Sequence, residues 1–236
     1  MINVTHSAGT VESEETGEGH PLSLWWAPLD LPVETFRRLT ACLSEEERHR
    51  AAQYRNPVNA DSFSAARGWL RHLLGHQLEC PPNEVRMITG EHGKPRLVDA
   101  DLRFNASRSG GTALYVTSPT MEVGVDIEAI RSTVDIEGLT TKFFTPAERA
   151  ALASLPPAPR LTAAFRCWTR KEAYVKGTAA GLIVPINTIG VGVGGEAKVS
   201  DWAVHQVDVA PGFAAAVAAH RYDGTVPIVQ EIAERF

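Results

Sequence analysis

The hydrophobic period of this chain turns from helical to strand-like twice, and that double change restricts the fold more than any other feature of the sequence. Helical spacing runs over Glu34 to Cys42, Ser44 to Tyr54 and Pro57 to about Leu78, where Phe63, Ala66, Leu70, Leu73 and Leu74 share one face. Ser44-Glu45-Glu46-Glu47 has the form of a capping box, in which the serine and the third glutamate satisfy orphan N–H groups. Pro57 suits a first helical turn, and Pro81-Pro82 ends that segment. Leu22 to Trp26 has strand character, and strand-like runs follow the helices at Val85–Thr89, Arg103–Ser107, Ala113–Thr117 and Val123–Ile127. Helical signals return at Ile136–Phe143, at Thr145-Pro146-Ala147-Glu148 and at Ala163–Lys176, and strands close the chain at Thr188–Val193, Trp202–Val209 and Phe213–Ala219. Each half thus supplies helices and then strands, an α+β arrangement. No internal repeat is visible in the residues themselves.

Residues 1–20 are rich in Glu, Gly, Ser and Thr with little to bury, so a flexible acidic tail is expected there. With 236 residues, 44% of them hydrophobic, the chain can bury a core as one domain or as two that share an interface. A net charge of −5 argues against a general nucleic-acid binder, which needs a clustered cationic surface, so any anion site must be local. Cys42, Cys80 and Cys167 form no CxxC pair and leave an odd count, which fits reduced thiols. No stretch approaches the roughly 18 apolar residues of a membrane span, and the N-terminus lacks the basic and apolar regions of a signal peptide. A soluble, cytoplasmic protein without nucleic-acid or membrane partners is expected.

Three constellations bear on chemistry. In Val123-Gly124-Val125-Asp126-Ile127-Glu128 the two-residue period of a strand puts Asp126 and Glu128 on one face and Val125 and Ile127 on the other. Like charges held so close need either open solvent or a hard cation in front of them, solvent being the plainer reading. In Phe165 to Lys176 the residues Trp168, Glu172 and Lys176 recur every fourth position and form one helical stripe. This is either an ordinary Glu–Lys pair or, because the stripe also carries Trp168, a packed face whose charges need partners. Glu172 could then complete an oxygen site for magnesium while Lys176 reaches a phosphate. Gly93-Lys94-Pro95-Arg96 and Phe104 to Gly111 offer charge and hydrogen bonds to an anion, or are ordinary loops.

Taken in order, GKP at 93–95, FNASRSGG at 104–111, GVDIE at 124–128 and WTRKEAYVKGTAAGL at 168–182 resemble the motif series of the surfactin-type 4'-phosphopantetheinyl transferases. The resemblance spans roughly Trp25 to Ala219. It implies two pseudo-symmetric halves, each with helices packed on a small antiparallel sheet, at 21–118 and 119–236, and a coenzyme A cleft between them. It implies transfer of the phosphopantetheine arm of coenzyme A to a serine of an apo acyl or peptidyl carrier protein, with release of adenosine 3',5'-bisphosphate. Asp126, Glu128 and Glu172 match the magnesium positions. Arg50, Arg67, Lys94, Pro95, Ser107, Arg108, Asp126 and Lys176 match positions at coenzyme A. Glu172 is the expected general base, with Glu128 the runner-up, and Lys176 the phosphate-stabilising cation; a monomer suffices.

Three positions depart from the family pattern. Arg108 stands where a histidine follows the serine, Ala180 replaces the first glycine of G-x-G-L, and Glu47 stands where a lysine is common, thinning the cationic lining. A non-catalytic relative that docks carrier proteins or coenzyme A is the alternative these departures support; another phosphotransferase or nucleotidyltransferase would use the same acids. Ile189 to Glu196, IGVGVGGE, opens no helix as a dinucleotide fingerprint must, so a hairpin turn is expected. His72 and His76 lack a third ligand and are expected to face solvent.

Overall fold

The computed structural model describes residues 21–90, 93–179 and 185–232; the expectations for the N-terminal tail and for Ala180-Gly181-Leu182 lie outside them. Strand β1 (Ser23–Pro28) leads into helices α1 (Val33–Thr40), α2 (Glu45–Ala52) and α3 (Pro57–Gln77). After a 3₁₀ turn at Pro82–Glu84 come β2 (Met87–Thr89), β3 (Pro95–Leu97), β4 (Arg103–Ser109), β5 (Thr112–Ser118) and β6 (Val123–Ala129). Helices α4 (Ile136–Phe143), α5 (Pro146–Ala153) and α6 (Pro157–Thr178) follow, then β7 (Glu196–Val199), β8 (Trp202–Val207), β9 (Phe213–His220) and β10 (Gln230–Glu231). The α+β class read from the sequence is the one observed.

Local chemistry explains most boundaries. Ser44 caps α2 and Thr145 caps α5, each in a full capping box closed by Glu47 and Glu148 respectively. Asn56 and Asp135 cap α3 and α4 with their side chains. Helix α6 begins at Pro157, six residues before the periodic stretch suggested, because prolines are tolerated in a first turn where N–H groups have no helical partner.

Two four-stranded sheets organise the chain, in the orders β10-β1-β5-β4 and β6-β9-β8-β7. In each, the first strand is followed by three helices, the third of them long, and later by an antiparallel pair of strands: β1-β5-β4 with α3 is matched by β6-β9-β8 with α6. Helix α3 covers one face of the first sheet, packing Trp69, Leu70, Leu73 and Leu74 against Trp25, Phe104 and Tyr115. The opposite face presents Leu24, Leu114 and Val116 to Val123, Val125 and Ile127 of the second sheet, so the two sheets share an apolar layer. Helix α6 covers the far face of the second sheet, where Ala173 meets Trp202, Val204, Ala216 and Ala218. The C-terminal β10 returns to pair in parallel with β1, with Trp25 opposite Gln230, and Ile232 is buried in the first core.

A charged strut also recurs. Buried Glu47 accepts from Arg71 Nε at 2.6 Å and from Arg67 Nε at 2.7 Å, and Arg71 gathers the carbonyls of Pro82 and Val85 after α3. Buried Glu148 pairs with Lys171 at 2.8 Å, and Lys171 gathers the carbonyls of Ile186 and Ile189 after α6. Burial pushes both carboxyls up, yet the cations and the capped N–H groups hold both below the ordinary carboxylate range.

The strand and the hairpin turn expected near Thr188–Val193 are not formed. A 3₁₀ turn covers Ile186–Thr188, and the following backbone is spent on side chains: Val191 N and Gly192 N donate to Glu148 Oε1 at 2.8 and 3.1 Å, and the Gly192 carbonyl accepts from Arg170 Nη2 at 2.7 Å. With those groups satisfied by α5 and α6, no ladder is left to build. Strands β3, β7 and β10 add to those the sequence suggests, and Val85–Thr89 is reduced to Met87–Thr89. Among the described residues no helix is long and apolar enough to cross a membrane.

Candidate active site

Helix α6 lies unusually close to β6, and glycine makes this possible. A Cβ on Gly124 would sit 2.6 Å from Gly177 Cα and closer still to Gly177 N and the Ala173 carbonyl oxygen. Beside them on the same face β9 offers Ala214, Ala216 and Ala218, paired with Glu128, Asp126 and Gly124. The strand alternation then delivers Asp126 and Glu128 to the α6 side, while Val125 and Ile127 enter the apolar layer.

Asp126 is 3% exposed. Its Oδ1 accepts from Lys176 Nζ at 2.6 Å and from Ser107 Oγ at 2.8 Å, and Lys176 Nζ also donates to Ser107 Oγ at 2.9 Å. The three residues come from β6, α6 and β4, so the triangle joins both sheets. Its Oδ2 is buried without a partner. Lys176 therefore does not take Glu172, its neighbour one turn back, as the helical spacing alone allowed. Glu128 Oε2 accepts from Ser109 Oγ at 2.7 Å, and Ser109 Oγ in turn accepts from Ala129 N at 3.1 Å.

Burial raises all three acids. For Asp126 it outweighs the pull of Lys176 and Ser107. Glu128 is pushed up by burial and by the Asp126 charge, against the Ser109 hydrogen bond. Glu172 is pushed up by burial, by Asp126 and by Glu128, with Lys176 opposing. These carboxylates repel one another at one spot, and one oxygen of the most buried has no partner. An all-oxygen donor set under such strain fits a hard divalent cation. In the described residues no three His, Cys, Asp or Glu side chains already stand close enough to hold an ion. Lys176 supplies the positive charge instead.

Apart from Ser107, Asp126 and Lys176 of the triangle, the expected coenzyme A residues divide into three groups. Arg50 and Arg108 converge on one aromatic pair: Arg108 Nη2 donates to Tyr54 Oη at 2.9 Å, its guanidinium lies 5.8 Å from the Phe63 ring centre, and that of Arg50 lies 6.0 Å from the same ring. Arg67 turns instead to Glu47. Glu47 is the buried member of the strut, and it engages Arg67 there. Lys94 points to Gly177, Val123 and Glu122, and Pro95 pairs with Thr89 in the β2–β3 hairpin. Trp168 packs on Phe143, ring centres 4.9 Å apart. Sequence reading gives Tyr54, Phe63 and Ser109 no individual role at the site, taking Phe63 as a core residue; the place of Ser109 was legible, since it lies two residues from Ser107 and so on the same face of β4. A cleft of about 660 Å³ opens elsewhere, lined by Lys198, His205 and Tyr222, and holds none of the three acids.

The profile of the 4'-phosphopantetheinyl transferase superfamily matches residues 122–215, the stretch from Glu122 into the start of β9 that carries all three acids and Lys176. The chain is 39% identical over 163 residues to the 4'-phosphopantetheinyl transferase HetI of Nostoc sp., an overlap of 67% of this chain and 69% of that protein. It is 30% identical over 161 residues to the 4'-phosphopantetheinyl transferase gsp of Aneurinibacillus migulanus, 68% of this chain and 66% of that protein. A phosphopantetheinyl transferase of Thraustochytrium sp. is 32% identical over 171 residues, 66% of this chain and 58% of that protein. The overlap with HetI takes in two thirds of each partner, and the superfamily profile falls on the acids that β6 and α6 bring together, so the chain belongs to the 4'-phosphopantetheinyl transferase family.

Proposed function

We propose that this protein transfers the 4'-phosphopantetheine arm of coenzyme A to a serine of an apo acyl or peptidyl carrier protein. The observation that carries the reading is the Ser107–Asp126–Lys176 triangle with Glu128 and Glu172 beside it, the acids and the lysine lying within the matched stretch. In the transfer the serine oxygen forms a bond to the phosphorus bearing the pantetheine, and the bond from that phosphorus to the bridging oxygen breaks. Adenosine 3',5'-bisphosphate departs, and the serine proton passes to a carboxylate. Glu172, raised by burial and by its acidic neighbours, suits the role of general base, with Glu128 as the runner-up. Lys176 is placed to stabilise charge on the transferring or departing phosphate.

Asp126, Glu128 and Glu172 would hold magnesium, which would supply neutralisation and orientation of the pyrophosphate oxygens. The partnerless Asp126 Oδ2 supports that assignment. Arg50 and Arg108 are assigned to the anionic end of coenzyme A, with Ser107 close by, and Arg67 only as far as Glu47 leaves it free. Division at 21–118 and 119–236, a cleft between the halves, action as a monomer and residence in the cytoplasm complete the reading.

The test is to incubate the protein with coenzyme A, magnesium and an apo carrier, and to weigh the carrier. A gain of about 340 Da, abolished by a chelator, is expected from the chemistry. A carrier of unchanged mass with intact coenzyme A would leave only a binding role; consumption of a nucleotide would indicate another phosphotransferase.

A further inference from the structure

All three ammonium protons of Lys94 have an oxygen within reach: the Gly177 carbonyl at 2.8 Å, the Val123 carbonyl at 3.0 Å and Glu122 Oε2 at 3.0 Å. An ammonium has three donors and no more, so a phosphate oxygen has no proton left to accept. The side chain is only 15% exposed. Its backbone is fixed as well, because Gly90 N donates to the Lys94 carbonyl at 2.8 Å across the β2–β3 turn, where Gly93 adopts a φ of +86°.

The acceptors are telling in their positions. Gly177 belongs to the last turn of α6 and follows Lys176; Val123 opens β6, three residues before Asp126. These are also the ends of the crossing that Gly124 and Gly177 bring close. The carbonyls of a last helical turn have no partner within the helix and attract a cation. A compact ammonium reaches three divergent oxygens at once, which a planar guanidinium does not. Burial lowers the Lys94 pKa, and Glu122 opposes that.

We infer that Lys94 is a positioning residue: from the β2–β3 turn its ammonium ties the last turn of α6 to the first residue of β6, and so fixes the contact of Lys176 with Asp126, instead of binding a phosphate of coenzyme A. The inference rests on the proposed transfer in so far as Lys176 and Asp126 take part in it.

Lys94→Met, Lys94→Arg and Glu122→Gln are compared with wild type for kcat at saturating carrier, for coenzyme A affinity by calorimetry, and for amide hydrogen exchange, all well below each melting point. For Lys94→Met a fall in kcat of about ten- to a hundredfold is expected from misplacement of the reacting groups. Coenzyme A affinity should stay within about threefold, since uniform binding is untouched. Faster exchange is expected at Val123–Val125 and at the end of α6. Lys94→Arg should not restore kcat, and Glu122→Gln, which keeps both carbonyl contacts, should lose less. Coenzyme A binding weakened about tenfold with kcat unchanged would make Lys94 a phosphate ligand and overturn the inference. A lowered melting point with kcat and affinity both intact would also overturn it. If wild type modifies no carrier, the proposed function fails instead, while the calorimetric and exchange comparisons still decide for or against the clamp.

Discussion

Replacing Gly124 by alanine tests the crossing on which the whole acidic site depends. The added Cβ would meet Gly177 Cα at 2.6 Å, with the Ala173 carbonyl and Gly177 N nearer still. Carbon atoms settle about 3.5–4.0 Å apart, so α6 must recede by about 1 Å, because every obstructing atom is backbone and none can rotate away. Overpacking of a dense core costs about 1–3 kcal/mol, and this variant belongs at the upper end. The same shift breaks the 2.6 Å approach of Lys176 to Asp126, and a displacement of that size costs about a hundredfold in rate. Gly177→Ala provides the internal comparison. There the new Cβ meets the buried Trp202 ring at 2.5 Å and Gly124 N at 3.3 Å, a mainly side-chain obstruction in place of three backbone ones, and alanine in a helix regains about 1 kcal/mol over glycine. Urea midpoints and single-turnover carrier modification should therefore rank Gly124→Ala below Gly177→Ala, with wild type above both. Equal midpoints for Gly124→Ala and wild type, or the reverse order of the two variants, would refute the close crossing.

Glu172→Gln should abolish transfer without lowering the melting temperature at neutral pH. A carboxyl whose folded pKa lies above its unfolded value weakens the fold above that pKa and ceases to do so as pH falls through it, so any stabilisation by glutamine should shrink toward acid; a large loss of melting temperature would place Glu172 among the supports of the fold. Lys171→Met leaves Glu148 charged and buried, and should cost about 3–5 kcal/mol in denaturant titrations. The Glu47 and Glu148 struts stabilise above the unfolded carboxylate pKa and lose that contribution as pH falls through their lowered folded values, so wild-type stability should decline on acidification and Lys171→Met should decline less. Arg108→Ala should weaken coenzyme A by about 1.5–3 kcal/mol, the worth of a charged hydrogen bond, and Arg108→His should add a titration between about pH 5 and 8 that calorimetry would detect; unchanged affinity in both would free Arg108 from the site.

What the sequence revealed was whatever depends on near neighbours. Both capping boxes could be read because a serine or threonine and a glutamate three residues on satisfy each other's backbone. The shared face of Asp126 and Glu128 followed from the strand period alone. The partner of Lys176 did not, since helical spacing offered Glu172 while the fold supplies Asp126 from 50 residues away. The segment after Ile186 misled for a related reason: its alternation is that of a strand, but its N–H groups and carbonyls are claimed by Glu148, Arg170 and Lys171, and nothing local announces that. The likeness of the two struts stayed hidden because equivalent places hold different residues, Arg71 beside Glu47 and Lys171 beside Glu148.

The two buried struts bear on how the site is kept in shape. β1 reads SLWWAP where β6 reads VGVDIEA, so acids stand on only one of the two strands that open the four-stranded sheets. Each long helix has its own buried ion pair, Glu47 with Arg71 and Glu148 with Lys171. The acid-free sheet is still not idle, since β4 supplies Ser107 to Asp126 and Lys176, so a site with its acids on one sheet depends on the seating of the other.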